Sequence, residues 1–262
     1  MLTDTLIQSI VDISHQAGDK IMEIYQRDFA IYEKSDESPL TEADLAAHNC
    51  IVAGLQAISD LPILSEESAN ISWQERSGWD KYWLVDPLDG TKEFIKKNGE
   101  FTVNIALIDK GVPVLGVVYA PVLSQTYVGI VGQGAYKISA GQKTDISPKA
   151  HIKGDSWKIV GSRSHQSPEI QALLDSLPGE TELVAMGSSL KLCLVAEGVA
   201  HLYPRLGPTS EWDTGAAQAV VEAAGGKVTI IKDAANPLKE DAEPLRYNQK
   251  DSVLNPFFLV SC

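Results

Sequence analysis

The chain has 262 residues, 44% of them hydrophobic, enough to bury a substantial core in one large domain or two lobes. A net charge of −13 speaks against a nucleic-acid groove, which needs a basic stripe. Three cysteines (Cys50, Cys193 and Cys262) are too few and too scattered for a disulfide framework or a thiolate metal cluster, and they fit a reducing cytosol. No apolar run reaches 18 residues, and "MLTDTLIQSIVDISHQAG" carries Asp4 and Asp12 where a signal peptide needs basic residues, so neither a membrane span nor a leader is expected.

Leu6, Ile10, Ile13, Ala17, Ile21 and Ile24 recur at steps of three and four, which predicts an amphipathic helix over 2–25. "SDESPL" (35–40) is a polar break. "TEAD" then has the form of a capping box, with Thr41 as cap, and opens a helix to about Ile58. "LPILSEES" gives a short buried strand running into Glu66 and Glu67, and "KYWLVD" is the next strand. From Phe101 to Lys137 the chain is rich in Val, Ile and Tyr, with turns at 109–111 and 132–134, an antiparallel meander.

Composition turns polar at "SPKAHIKGDS" (147–156), which divides the chain into an N-terminal α+β lobe, 1–150, and a C-terminal α/β lobe, 151–262. In the second half "WKIVGS", "TELVAMG" and "AHLYPR" read as strands. "SPEIQALLDSL", "SLKLCLVAEG" and "EWDTGAAQAVVEAAGG" read as helices between them, with "KVTII" as the last strand.

Acids gather at the ends of these elements: Glu66 and Glu67, Asp86, Asp89, and Asp213 at the start of a helix. Each has a plain explanation as a cap, a dipole partner or a turn residue. What recurs is a strand followed by oxygen ligands, the pattern of a sheet edge that opens onto its ligand. Magnesium takes hard oxygen ligands and completes its shell with water and substrate phosphate. In "VDPLDGT" the Asp86 and Asp89 carboxylates and the Leu88 carbonyl supply three such oxygens, Gly90 allows a sharp turn, and the amides after it can face a phosphate. Two or three ions about 3.5–4 Å apart would activate a water and stabilise a leaving oxygen.

Other readings fail on spacing. An EF-hand register from Asp86 puts Leu, Gly and Lys at ligand positions, and neither a Walker A loop nor a GxSxG elbow occurs. A haloacid-dehalogenase-like phosphatase needs two aspartates two apart, and here they are three apart.

"LSEES", "VDPLDGT" and "EWDTGAAQAVVEAAGG", in this order over most of the chain, resemble the inositol monophosphatase superfamily of metal-dependent, lithium-sensitive phosphatases. "DGTKEFIKKNGEFTVNIALI", "GSRSH", "GSSLKLCLVAEGVAHLYPR" and "GPTSEWDT" resemble its CysQ branch, the bacterial 3'(2'),5'-bisphosphate nucleotidases. The resemblance implies an α/β fold, the sugar-phosphatase α/β/α/β/α sandwich of two lobes with the site between them. It implies Mg2+ on Glu66, Asp86, the Leu88 carbonyl, Asp89 and Asp213. Thr91 and Asp44 would orient and deprotonate the attacking water, with Glu67 as a further base or metal contact.

By the same resemblance Glu66, Leu88, Asp89, Gly90, Thr91 and Asp213 also face the substrate, and Ser162, His165, Gly187 and Lys191 contact the nucleotide and its other phosphate. The plain alternatives are a helix-cap role for Asp44, a solvated surface Lys191 and a loop His165. Arg205 is read as an acid's partner and left outside the site, and Trp212 as core. The implied activity is removal of the 3'-phosphate of adenosine 3',5'-bisphosphate in the cytoplasm, supporting sulfate assimilation. The alternatives are an inositol or sugar monophosphatase and a silent metal-dependent binding protein. A monomer or homodimer is expected, with no nucleic-acid polymer as partner and, at most, loose attachment to the inner face of the inner membrane.

Overall fold

The computed structural model describes residues 2–33, 39–161, 168–233 and 243–262. The outer layer is a pair of packed helices, α1 (Asp4–Tyr25) and α2 (Glu42–Ile58). Thr3 caps α1 by accepting from Leu6 N at 3.2 Å, and Ile10, Ala17 and Ile21 form its buried stripe. Between the helices the sequence suggested only a polar break. The structure instead pairs β1 (Ile31–Glu33) with β2 (Pro39–Thr41), so the chain enters α2 from a strand. Thr41 Oγ1 accepts from Ala43 N, and the Asp44 carboxylate accepts from Thr41 N, as the predicted capping box requires.

The helices cover one face of a seven-stranded sheet. Its order is β3 (Ile63–Ser65), β4 (Lys81–Asp89), β5 (Thr102–Asp109), β6 (Val112–Ala120), β7 (Gln125–Ile130), β8 (Gly134–Ser139) and β9 (Gln142–Asp145). Only β3 and β4 run parallel; the rest form the expected meander, lengthened by β9. The turn into β6 is Lys110-Gly111, both at positive φ, the pattern that matches the twist of a two-residue hairpin. A four-residue helix, α3 (Trp73–Arg76), precedes β4, and α4 (Thr91–Ile95) follows it.

Both faces of this sheet are buried, which is why its central strands read as nearly continuous apolar runs. Trp83, Val85, Val103 and Ile105 face α1 and α2. Tyr82, Leu84, Ala106 and Ile108 face a middle layer of α6 (Leu190–Ala196) and α7 (Glu211–Ala224). Helix α7 is buried nearly all round, as a helix between two sheets must be, and its buried polar groups Thr214 and Gln218 are hydrogen-bonded to Tyr247. It sits unusually close to β6 and β7: a Cβ on Gly116 would lie 2.0 Å from the Ala216 carbonyl oxygen, and one on Gly129 2.4 Å from Val220 Cα.

The far side of the middle layer is a five-stranded sheet, in the order β11 (Thr181–Ala185), β10 (Trp157–Gly161), β12 (Leu202–Arg205), β14 (Phe258–Ser261), β13 (Lys227–Ile230). β10 is parallel to β11 and β12, as alternation predicts. The sequence reading ended the sheet at "KVTII". In fact β14 is the last strand, inserted antiparallel between β12 and β13. Helix α5 (Pro168–Ser176) runs between β10 and β11, and Leu174 and Leu177 at its end pack with Ile159, Leu202 and Leu259. The layers form an α/β/α/β/α sandwich, as expected. Among the described residues no helix is long and apolar enough to cross a membrane.

Candidate active site

The end of β4 is built around a register shift. Asp86 pairs with Asn104 and Asp89 with Thr102, three steps on β4 against two on β5, a bulge of one residue. In a regular strand, side chains three apart point to opposite faces. Here the extra residue inverts the alternation. Leu88 packs with the α1–α2 core, and both aspartates come together on the other side, beside Asp213. The bulge also turns Leu88 N onto Asp86 Oδ1, at 3.0 Å. The chain then breaks at Gly90, φ +94 and ψ 41, a left-handed conformation that a side chain would strain, and α4 begins.

Asp213 arrives from the opposite direction. It is the third residue of α7, and its carboxylate accepts from Ser210 N at 2.8 Å, so it caps its own helix. The start of α7 is held by a loop: Glu211 N donates to Val253 O, and both Glu211 oxygens accept from Asn248 N at 2.9 and 3.0 Å. Buried Arg76 clamps that loop by donating to Asn248 Oδ1 and to the Lys250 and Asp251 carbonyls.

Ligand oxygens of Asp86, Asp89 and Asp213 lie within 4.8 Å of one another. Burial, and then the charges of Glu66, Asp89, Asp213 and Asp44, push the Asp86 carboxyl well above the usual carboxylate range. Burial and the Asp89 charge raise Asp213 to about 8. Asp89 rises to about 6 through burial, although the Lys191 ammonium and the Ser189 N–H pull it back. Carboxylates packed this closely ionise together only beside a cation, and an all-oxygen set suits a hard divalent ion.

Glu66 and Glu67 open a 3-10 turn after β3, and parallel pairing of Ser65 with Val85 brings Glu66 alongside Asp86. Both glutamates line a cleft of about 880 Å³ together with Asp86, Leu88, Asp89, Gly90, Thr91 and Asp213. Thr91 Oγ1 donates to Asp44 Oδ1 at 3.2 Å, while Asp44 Oδ2 accepts from the Thr41 hydroxyl at 2.6 Å. Asp44 is therefore both the helix cap and the partner of the motif threonine.

A smaller cavity, about 200 Å³, adjoins the cleft and shares Asp89, Gly90, Glu93, Thr209 and Asp213 with it. Lys191, on the first turn of α6, lines this cavity with Tyr203 and Arg205. Sequence reasoning left Arg205 out. It does approach an acid, since its charge lowers the Asp213 pKa, but it lies in the cavity wall with Nε buried and, among the described residues, unpartnered, and Nη2 donating to Pro208 O. The signal that would have found it is its place at the end of β12, a strand that opens on the same edge as β4. Gly187 stands apart from both cavities' walls, and its N–H donates to Glu100 Oε2 at 2.8 Å. Trp212, read as core, is buried but also reaches the cleft wall. Ser162 and His165 lie outside the described residues.

The sequence profile of the inositol monophosphatase family matches residues 3–256. The 3'(2'),5'-bisphosphate nucleotidase CysQ of Escherichia coli (strain K12) is 46% identical over 259 residues, 98% of this chain and 99% of the relative. The crystal structure of CysQ from Bacteroides thetaiotaomicron superposes with a TM-score of 0.84 at 43% identity, covering 98% of this chain and 97% of that one. An inositol monophosphatase from Anabaena shares the fold, with a TM-score of 0.73 at 24% identity, 98% of this chain and 90% of that one. A profile match over nearly the whole length, on a chain whose bulged aspartates meet a third from the middle helix layer, makes this protein a member of the inositol monophosphatase family.

Proposed function

We propose that the protein is a Mg2+-dependent phosphatase that removes the 3'-phosphate of adenosine 3',5'-bisphosphate, leaving AMP and phosphate. The observation that carries the reading is the adjacency of two unlike cavities. A carboxylate-lined cleft shares Asp89 and Asp213 with a cavity walled by Lys191 and Arg205. The first suits a phosphate held through cations, and the second suits a further anionic group on the same small molecule. The CysQ name of the relatives points the same way.

Glu66, Asp86, the Leu88 carbonyl, Asp89 and Asp213 would hold two or three Mg2+ ions, which when bound supply charge neutralisation for the phosphoryl oxygens and lower the pKa of a water. The remaining steps belong to the chain. The Thr91 hydroxyl, donating to Asp44, keeps its lone pairs for the attacking water, and the proton passes through it to Asp44 Oδ1. Amides at the turn after Gly90 face the phosphoryl oxygens. Glu67, at the cleft wall, serves as a further base or metal contact. Lys191 and Arg205 bind the 5'-phosphate, and Ser162 and His165 take the remaining nucleotide contacts. The N-terminal part, 1–150, carries the cation cleft, and 151–262 the nucleotide contacts and Asp213.

On this reading the enzyme works in the cytoplasm, clears a by-product of sulfate assimilation, and is inhibited by lithium. The test is phosphate release, with Mg2+, from adenosine 3',5'-bisphosphate and inositol 1-phosphate side by side. A kcat/KM at least about a hundredfold higher for the nucleotide, roughly 2.7 kcal/mol in the transition state, is expected. Equal rates, or a preference for the inositol, would sink the nucleotidase assignment while keeping the metal site.

A further inference from the structure

Helix α2 meets the active-site region at two levels. Asp44 holds Thr91. One turn further on, and so on the same side of the helix, His48 Nδ1 shares a 2.9 Å hydrogen bond with Ser65 Oγ. Ser65 is fully buried, ends β3 and immediately precedes Glu66. Among the described residues β3 is a three-residue edge strand, paired on one side, and the turn that Glu66 opens has no side-chain cap at Ser65. Backbone pairing holds Ser65 to β4 through Val85. The side-chain tie to α2 adds an anchor at the residue before the carboxylate, from the same helix that fixes Thr91.

We infer that His48 is a positioning residue: through Ser65 it sets where the Glu66 carboxylate enters the cluster of Asp86, Asp89 and Asp213, and so governs divalent-cation affinity. This rests on the metal reading proposed above. His48 touches neither substrate nor the reacting atoms in that reading. A merely structural role, satisfying a buried hydroxyl, would instead appear as lost stability with cation affinity kept.

The experiment is Mn2+ binding to the metal-free full-length protein, followed by electron paramagnetic resonance of the free ion, with melting temperature measured alongside. Wild type is expected to bind Mn2+ and Glu66→Gln to weaken it. His48→Ala and Ser65→Ala are each expected to weaken binding about tenfold, as loss of a group that orients a ligand does. The double variant should be no weaker than either single one. In a Glu66→Gln background, His48→Ala should add less than about threefold. His48→Asn, whose amide sits where the ring Nδ1 lies, should restore most of the affinity.

Failure of wild type to bind Mn2+ would overturn the metal reading itself. With wild-type binding intact, unchanged affinity in His48→Ala, or an undiminished loss in the Glu66→Gln background, would overturn the role of His48. Should His48→Ala not fold, Ser65→Ala carries the same test.

Discussion

Thr91 and Asp44, 47 residues apart in sequence, share a 3.2 Å hydrogen bond through one carboxylate oxygen while the other oxygen caps the helix that carries Asp44. On the mechanism proposed above, one side chain fixes a helix start and also receives a proton, and the two roles separate by mutation. Asp44→Asn keeps a side chain able to cap but removes the base. We expect kcat to fall at least about a hundredfold, the lower range for a general base, with little change in stability. Thr41→Ala should lose about 1 kcal/mol of stability and retain most of its turnover. Urea unfolding and initial rates on both variants check the pair; a Thr41→Ala enzyme as inactive as Asp44→Asn would sink the division.

The raised acids set a pH dependence with a definite sign. In the folded, metal-free protein Asp213 titrates near about 8 and Asp89 near about 6, whereas the unfolded chain releases these protons near pH 4 (roughly). Between those limits the native state binds more protons than the unfolded one, so stability falls as pH rises through the window and is fully penalised above it. Cation binding displaces the same protons, so affinity rises with pH and the bound ion stabilises by mass action. Calorimetry in chelator should show the melting temperature falling from mildly acid to mildly alkaline pH, and Mg2+ should remove that fall. Parallel curves with and without Mg2+ would count against the cluster as the binding site.

Lys191 and Arg205 should act on the second phosphate and not on the chemistry. Replacing either by Met removes a charge-assisted contact of about 1.5–3 kcal/mol, about ten- to a hundredfold in KM for the bisphosphate. A nucleoside 3'-monophosphate, which lacks the 5'-phosphate, should be hydrolysed with nearly unchanged kcat/KM by the same variants. Equal damage on both substrates would move these cations from specificity to catalysis.

Gly116→Ala tests the contact between α7 and the sheet. Its Cβ would fall 2.0 Å from a helix carbonyl oxygen, so α7 has to move. Overpacking of this kind costs about 1–3 kcal/mol. Because Asp213 lies on the same helix, Mn2+ affinity should fall together with stability. A stable variant with wild-type Mn2+ affinity would show that α7 adjusts without carrying Asp213 with it.

The local chemistry of this site is legible in the letters. The capping box at Thr41–Asp44, the period of α1, and the acids and glycine of "VDPLDGT" each announce themselves over a few residues. What is not legible depends on partners distant in sequence. Nothing in "VDPLDG" says that pairing with β5 skips a residue, yet that bulge is what puts the two aspartates on one face. Arg205 reads only as the partner of an acid until the fold brings the end of β12 to the cavity beside Asp213. "FFLV" is a short apolar run whose place depends on two strands more than 25 residues upstream.

The placement of β14 has a consequence for how the molecule is made. β14 is synthesised after β13 but lies between β13 and β12, so in a nascent chain that has reached Ile230 β13 still lacks the strand that joins it to the sheet. Until residues 258–261 emerge, β12 and β13 each present an unpaired edge, the kind of surface that invites pairing with other chains. The apolar faces of α6 and α7 that pack with Val260 and Phe258 wait on the same step. Closure by so late and non-local a strand is slow, so those edges stay open for the whole interval between the emergence of β13 and the docking of β14.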